Sequence, residues 1–287
     1  MSEKPRKSPS WRLRITVGAV GAGVFILPGM GIGVAILLSG ALSTAATRQH
    51  SRLTYWLLDT GLRYSIEANS GDIRVPSLAG GHRIRRGLAC CRAHCAQCHG
   101  APGVARDAPG LGMLPVPNDL TQTARDRPSK WLYYVTRYGV RMTGMPAWEF
   151  RLSEDDLWAT VAFLKALPAL TRAGYAELDR STPPACAGAA ALPAATDRER
   201  GAVVLRQYAC HACHRIEGIV GPDTRVGPPL VDWPSRPYIS GTLPNTRENL
   251  VLWITDPESV SPGTLMPDLR VPQAQARQVA DYLFSQR

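Results

Sequence analysis

The pentapeptide Cys-x-x-Cys-His occurs twice in this 287-residue chain, as Cys95-Ala-Gln-Cys98-His99 and as Cys210-His-Ala-Cys213-His214. Two thiols three residues apart share one face of a helical turn, and the histidine that follows is carried round beside them. That spacing is the attachment signature of c-type haem, in which the thiols form thioethers with two vinyl groups and the imidazole ligates the iron. Other readings of Cys-x-x-Cys fit less well. A redox dithiol belongs to a βαβ setting, which neither stretch has. A zinc site needs two further Cys or His ligands at each place. The remaining histidines, His50, His82, His94 and His211, are not paired at zinc spacing. The expectation is two covalently bound haem c groups, held through Cys95, Cys98, Cys210 and Cys213, with His99 and His214 as iron ligands.

An iron that only carries electrons keeps a sixth ligand, and methionine opposite histidine raises its potential. Met145-Pro146 lies 47 residues after Cys98, and Met266-Pro267 lies 53 after Cys213. An amphipathic helix is predicted after each. Leu157, Val161 and Leu164 mark one face of the first, and Ala276, Val279, Ala280 and Leu283 one face of the second. Met145 and Met266 are therefore the expected sixth ligands. Met113 and Met142 are rivals in the first half, although a lone methionine is usually core filler.

The order helix, motif, loop, Met, helix appears over residues 81–172 and again over 198–287. In this it resembles the class I c-type cytochromes, small all-helical haem domains, and further resembles the membrane-anchored dihaem cytochromes c of bacterial respiratory chains. The resemblance implies a Gly-Pro-x-Leu element whose proline carbonyl accepts a hydrogen bond from the iron-ligating histidine. Gly227-Pro228-Pro229-Leu230 matches it, so Pro228 would orient His214. The first half departs from the pattern with Leu114-Pro-Val-Pro117-Asn-Asp-Leu120, where Pro117 is only a candidate.

From Ile15 to Thr47 no residue is charged. The run exceeds the ~20 residues that cross a bilayer and the 7–15 apolar residues of a signal-peptide core. It reads as a retained transmembrane anchor over 15–45, with cleavage near Ser43-Thr44-Ala45 as the alternative. Lys4, Arg6, Lys7, Arg12 and Arg14 precede it, and basic flanks stay cytoplasmic. The expected layout is a cytoplasmic tail (1–14), the anchor (15–45), a juxtamembrane segment (46–80), one cytochrome domain (81–172), a Pro/Ala-rich linker (173–197) and a second cytochrome domain (198–287). The fold class is all-α, one N-terminal transmembrane helix followed by two class I cytochrome c domains. The expected location is the bacterial inner membrane, single-pass, with both haem domains periplasmic.

The net charge of +10 gathers in the N-terminal tail and in residues 81–172. No dense basic run lies beyond the tail, and no aromatic-basic strand motif accompanies it, which argues against nucleic acid as a partner. Cys90 and Cys91 read as buried thiols, with a disulfide as the alternative. Cys186, in the linker, is either an exposed thiol or a disulfide partner.

The function this implies is electron transfer rather than enzymatic bond chemistry. The chain would pass electrons between a quinol-oxidising complex or dehydrogenase and a terminal oxidase or soluble cytochrome, alone or as a complex subunit. A dihaem peroxidase is the alternative; an iron that meets peroxide needs an open distal position, and the methionine in each half argues against one. A haem-based sensor ranks last, because no output domain accompanies the motifs.

Overall fold

A computed structural model describes residues 28–41, 43–149, 151–184, 186 and 197–286. The chain divides into two compact units, residues 1–148 with 155–187 and residues 149–154 with 188–287. The described residues are helical, apart from short loops, one isolated bridge at Ala101 and Val104, and one antiparallel ribbon that pairs Tyr238 with Pro244.

The expected membrane anchor is not borne out. Among the described residues no helix is long and apolar enough to cross a membrane. Residues 28–38 are helical and end at Ser39–Gly40, where Gly40 takes a φ of 71°. At 1.5 Å per residue that stretch rises about 17 Å, against about 30 Å of hydrocarbon. Residues 15–27 and 42 of the expected anchor, and the tail 1–14, lie outside the described residues. The transmembrane helix is corrected out of the fold class. The single-pass inner-membrane location, with its periplasmic haem domains, falls with it.

In the first unit, helix α1 (Arg52–Ser70) starts at Ser51, whose side chain accepts the Thr54 N–H. Its C-terminal half is held to helix α3 (Ser129–Tyr138) by Glu67, which accepts bonds from Trp131 Nε1 and, at 3.1 Å, from Lys130 Nζ. Between them in sequence, helix α2 (Gly81–His94) leads into the first motif. It crosses helix α4 (Glu154–Ala166) at Gly87. A Cβ there would stand 1.9 Å from the Ala159 carbonyl oxygen and 2.8 Å from Phe163 Cβ, so the two backbones touch and only glycine fits. Leu157, Val161 and Leu164, the predicted inward face of α4, are all buried. Tyr133 stacks on Trp158 at 4.0 Å between ring centroids, which packs α3 on α4. Helix α5 (Arg172–Arg180) occupies residues the sequence assigned to the linker. Thr171 caps it, and Tyr175 is buried near Phe163. That burial pushes the Tyr175 phenol up to about 12.

Cys90 of α2 forms a disulfide with Cys186, which corrects the reading of Cys90 as a free thiol; Cys91 is buried and free. Beside the disulfide, Arg92 reaches Asp179 Oδ1 at 2.7 Å and the Pro183 carbonyl at 2.7 Å. The chain leaving α5 is thus fastened to α2 by one covalent bond and one guanidinium.

The second unit repeats the crossing. Helix α6 (Asp197–Gln207) meets helix α8 (Gln273–Phe284) at Gly201, where a Cβ would stand 2.2 Å from the Gln278 carbonyl oxygen and 2.5 Å from Tyr282 Cβ. In both crossings the contacted residues are four apart and the second is aromatic, Ala159 with Phe163 and Gln278 with Tyr282. Helix α7 (Arg247–Thr255), capped by Thr246, packs on α8. Val204, Leu205, Leu250, Ile254, Val279 and Leu283 build the core between these three helices.

Candidate haem sites

Each motif folds into a tight turn directly after its first long helix. In the first unit the Cys98 and His99 amides both donate to the Cys95 carbonyl, at 3.1 and 2.9 Å. In the second, the Cys213 and His214 amides donate to the Cys210 carbonyl at 3.2 and 2.9 Å. Ala209, with a left-handed φ of 52°, bends the chain into this second turn. Cys95, Cys98 and His99 therefore share one turn, and so do Cys210, Cys213 and His214.

The histidine rings are fixed in the same way. His214 Nδ1 lies 2.7 Å from the Pro228 carbonyl, and His99 Nδ1 lies 2.7 Å from the Asn118 carbonyl. A carbonyl oxygen only accepts, so Nδ1 carries the proton in both rings and the Nε2 lone pair is left for a metal. In the first unit the acceptor is Asn118 rather than the adjacent Pro117. Gly227 lies flat against the His214 ring; a Cβ there would be 2.5 Å from Cε1. Burial pulls the His99 imidazole below its ordinary pKa, which favours the neutral, metal-binding form. Burial also pushes the Cys210 thiol up to about 11. The Cys91 thiol is pushed up as well, first by its hydrogen bond with Cys95 and then by burial.

The methionine loops match in detail. The Met145 amide donates to Thr143 Oγ1 at 3.1 Å, and the Met266 amide to Thr264 Oγ1 at 3.2 Å. The Thr143 amide in turn bonds the Val140 carbonyl, and the Thr264 amide the Ser261 carbonyl. The shared signature is Thr-x-Met-Pro, which reading the Met-Pro pair alone had missed. Gly139 cradles the first loop, and a Cβ on it would stand 2.7 Å from the Met145 carbonyl oxygen. Of the rivals, Met142 is 94% exposed. Met113 lies against Gly144 of the same loop, its Sδ 2.7 Å from where a Cβ would be.

In the second unit these parts converge on one apolar cavity with ≈ 590 Å³ of empty space, partly open to solvent. Cys210, His214 and Met266 line it, and Leu230, Trp253 and Ile254 form part of its wall. Binding pockets for organic groups have this size and character. The Trp233 indole nitrogen is buried without a hydrogen-bond partner, and Trp233 also lines the cavity. Thiol, imidazole, thioether and one unanswered donor around an apolar space fit a porphyrin iron. Cys90, Cys186 and Asp156 also lie close together, but both sulfurs are spent in the disulfide, so that cluster offers a metal no thiolate.

The turn, the oriented histidine and the helix crossing at glycine define a c-type cytochrome domain. Comparison with known proteins agrees for the first unit. Residues 82–164 match the family of cytochrome c oxidase, cbb3-type, subunit III, so the chain carries a c-type cytochrome domain, which implies a covalently bound haem c. The chain is also similar to cytochrome c oxidase subunit 2 of Alkalihalophilus pseudofirmus (strain ATCC BAA-2126 / JCM 17055 / OF4), 36% identical over 75 residues. That stretch is 26% of this chain and 21% of the relative, so the chain spans about a fifth of the relative's length. No solved structure matches.

Proposed function

We propose that the chain is a dihaem electron-transfer protein that works with a respiratory oxidase. Cys95 and Cys98 would hold one haem, with His99 and Met145 on its iron. Cys210 and Cys213 would hold the other, with His214 and Met266. The bound irons supply one-electron chemistry, cycling between ferrous and ferric. The protein's own part is to fix the axial ligands, exclude water and set the two potentials. The Asn118 and Pro228 carbonyls each keep an imidazole in its ligating tautomer and raise its basicity. Thr143 and Thr264 hold the backbone of the methionine loops. The reading of the second unit rests on one observation above all: a single apolar cavity is lined by Cys210, His214 and Met266 together.

The donor would be a quinol-oxidising complex or a dehydrogenase, and the acceptor a terminal oxidase or a soluble cytochrome. Both relatives found by comparison are named as oxidase subunits, which supports the respiratory setting. The test is intact mass and redox spectroscopy of chain matured in a host that attaches haem c. Two covalent haems and two low-spin spectra are expected. Cys98→Ala and Cys213→Ala should each remove the spectrum of one haem only. One haem, or none, would overturn the dihaem reading.

A further inference from the structure

Trp233 opens a short turn, Trp233–Ser235, entered through Asp232 in a left-handed conformation. Its ring is 4% exposed. Asn245 Nδ2 holds its carbonyl at 2.9 Å, and the Arg236 guanidinium lies over the ring, 5.3 Å from its centroid. The indole is therefore fixed in place, yet its Nε1 is buried with no acceptor. Trp131 shows the contrast, since its Nε1 donates to the Glu67 carboxylate. An indole N–H can only donate, and buried donors in folded proteins are nearly always answered. The acceptor missing at Trp233 has to come from what fills the cavity that it shares with His214 and Met266.

We propose that Trp233 Nε1–H donates to a carboxylate of the haem in the second unit and so positions that haem and raises its potential. The inference rests on the reading that this unit holds haem. A haem is an apolar plate whose carboxylates are its strong acceptors. A donor fixed in an apolar wall recognises one of them, and the adjacent Arg236 adds positive charge on the same side. The hydrogen bond withdraws negative charge from near the iron and so disfavours the ferric state.

The test uses the full holoprotein with W233F, which keeps the aromatic ring and removes the donor. Covalent haem should remain at the wild-type count. The second haem's potential should shift negative while the first haem's stays put, and the carboxylate bending mode in the Raman spectrum should move. W233H, which retains a ring N–H, should restore part of the shift. In ferrous wild type the Trp233 indole proton should exchange slowly with solvent, a measurement that needs no variant. Two attached haems with unmoved potential and Raman mode in W233F, or a fast-exchanging indole proton, would overturn the inference alone. A wild type with haem only on the first unit would overturn the dihaem reading, and this inference with it.

Discussion

Arg86 Nε lies 2.6 Å from Asp156 Oδ1, and the Asp156 side chain is wholly buried while Arg86 is one-third exposed. The pair joins the first and last long helices of the first unit, just beside the glycine where they cross. Removing one partner of a buried pair costs about 3–5 kcal/mol, because the other charge stays behind unanswered. Arg86→Ala should therefore lower the stability of the first unit by about 3 kcal/mol, the low end of that range, since Arg86 is partly solvated. Denaturant titration followed in each unit separately checks this, and the second unit should not move.

The two crossings predict opposite outcomes for similar substitutions. Alanine is favoured over glycine inside a helix by about 1 kcal/mol. Gly61→Ala in α1, where an added Cβ meets nothing within 4 Å, should stabilise. Gly87→Ala and Gly201→Ala drive a Cβ into a carbonyl oxygen and should destabilise by about 3 kcal/mol, the upper part of the usual range for overpacking. Thermal melts of the three variants separate backbone propensity from close contact.

Thr143→Val and Thr264→Val each remove the hydroxyl that accepts the methionine amide. A hydrogen bond of this kind contributes about 1 kcal/mol, which corresponds to about a fivefold change in an equilibrium. If the loops deliver the sixth ligand, external imidazole should displace Met145 or Met266 about five times more readily in the matching variant. Spectral titration reads this for each haem.

Acid should loosen α1 from α3. The indole of Trp131, then the ammonium of Lys130, hold the Glu67 carboxyl below its ordinary 4.5. A carboxyl whose folded pKa is depressed contributes stability above its unfolded pKa and loses it as pH falls through the folded value. Hydrogen exchange in the C-terminal half of α1 should therefore accelerate below about pH 4. In Glu67→Ala it should be fast already at neutral pH, with little further acid dependence.

Some of this architecture was legible in the residues alone. The faces of α4 and α8 could be read because helical periodicity puts Leu157, Val161 and Leu164, or Ala276, Val279 and Leu283, on one side. Thr143 and Thr264 carried a readable signal, a repeated Thr-x-Met-Pro, that a search for the metal ligand alone passed over. Asn118 could not be told from Pro117, because a backbone carbonyl is the acceptor and every residue has one. The partner of Cys90 was hidden for another reason. It lies 96 positions away, and cysteine pairing does not follow from sequence. Helix α5 was masked by the Pro/Ala-rich composition that follows it. The uncharged run after Ile15 met a length rule for membranes, whereas its described portion makes only a short helix that stops at Gly40.

The disulfide between Cys90 and Cys186 sets a condition on how the protein is assembled. Thioether formation consumes free thiols, and Cys95 follows Cys90 after little more than one helical turn. Assembly thus has to oxidise one sulfur of this segment while keeping its neighbours reduced until porphyrin arrives. Two opposing redox treatments meet within a few residues, and their order decides whether a chain can take up its cofactor at all.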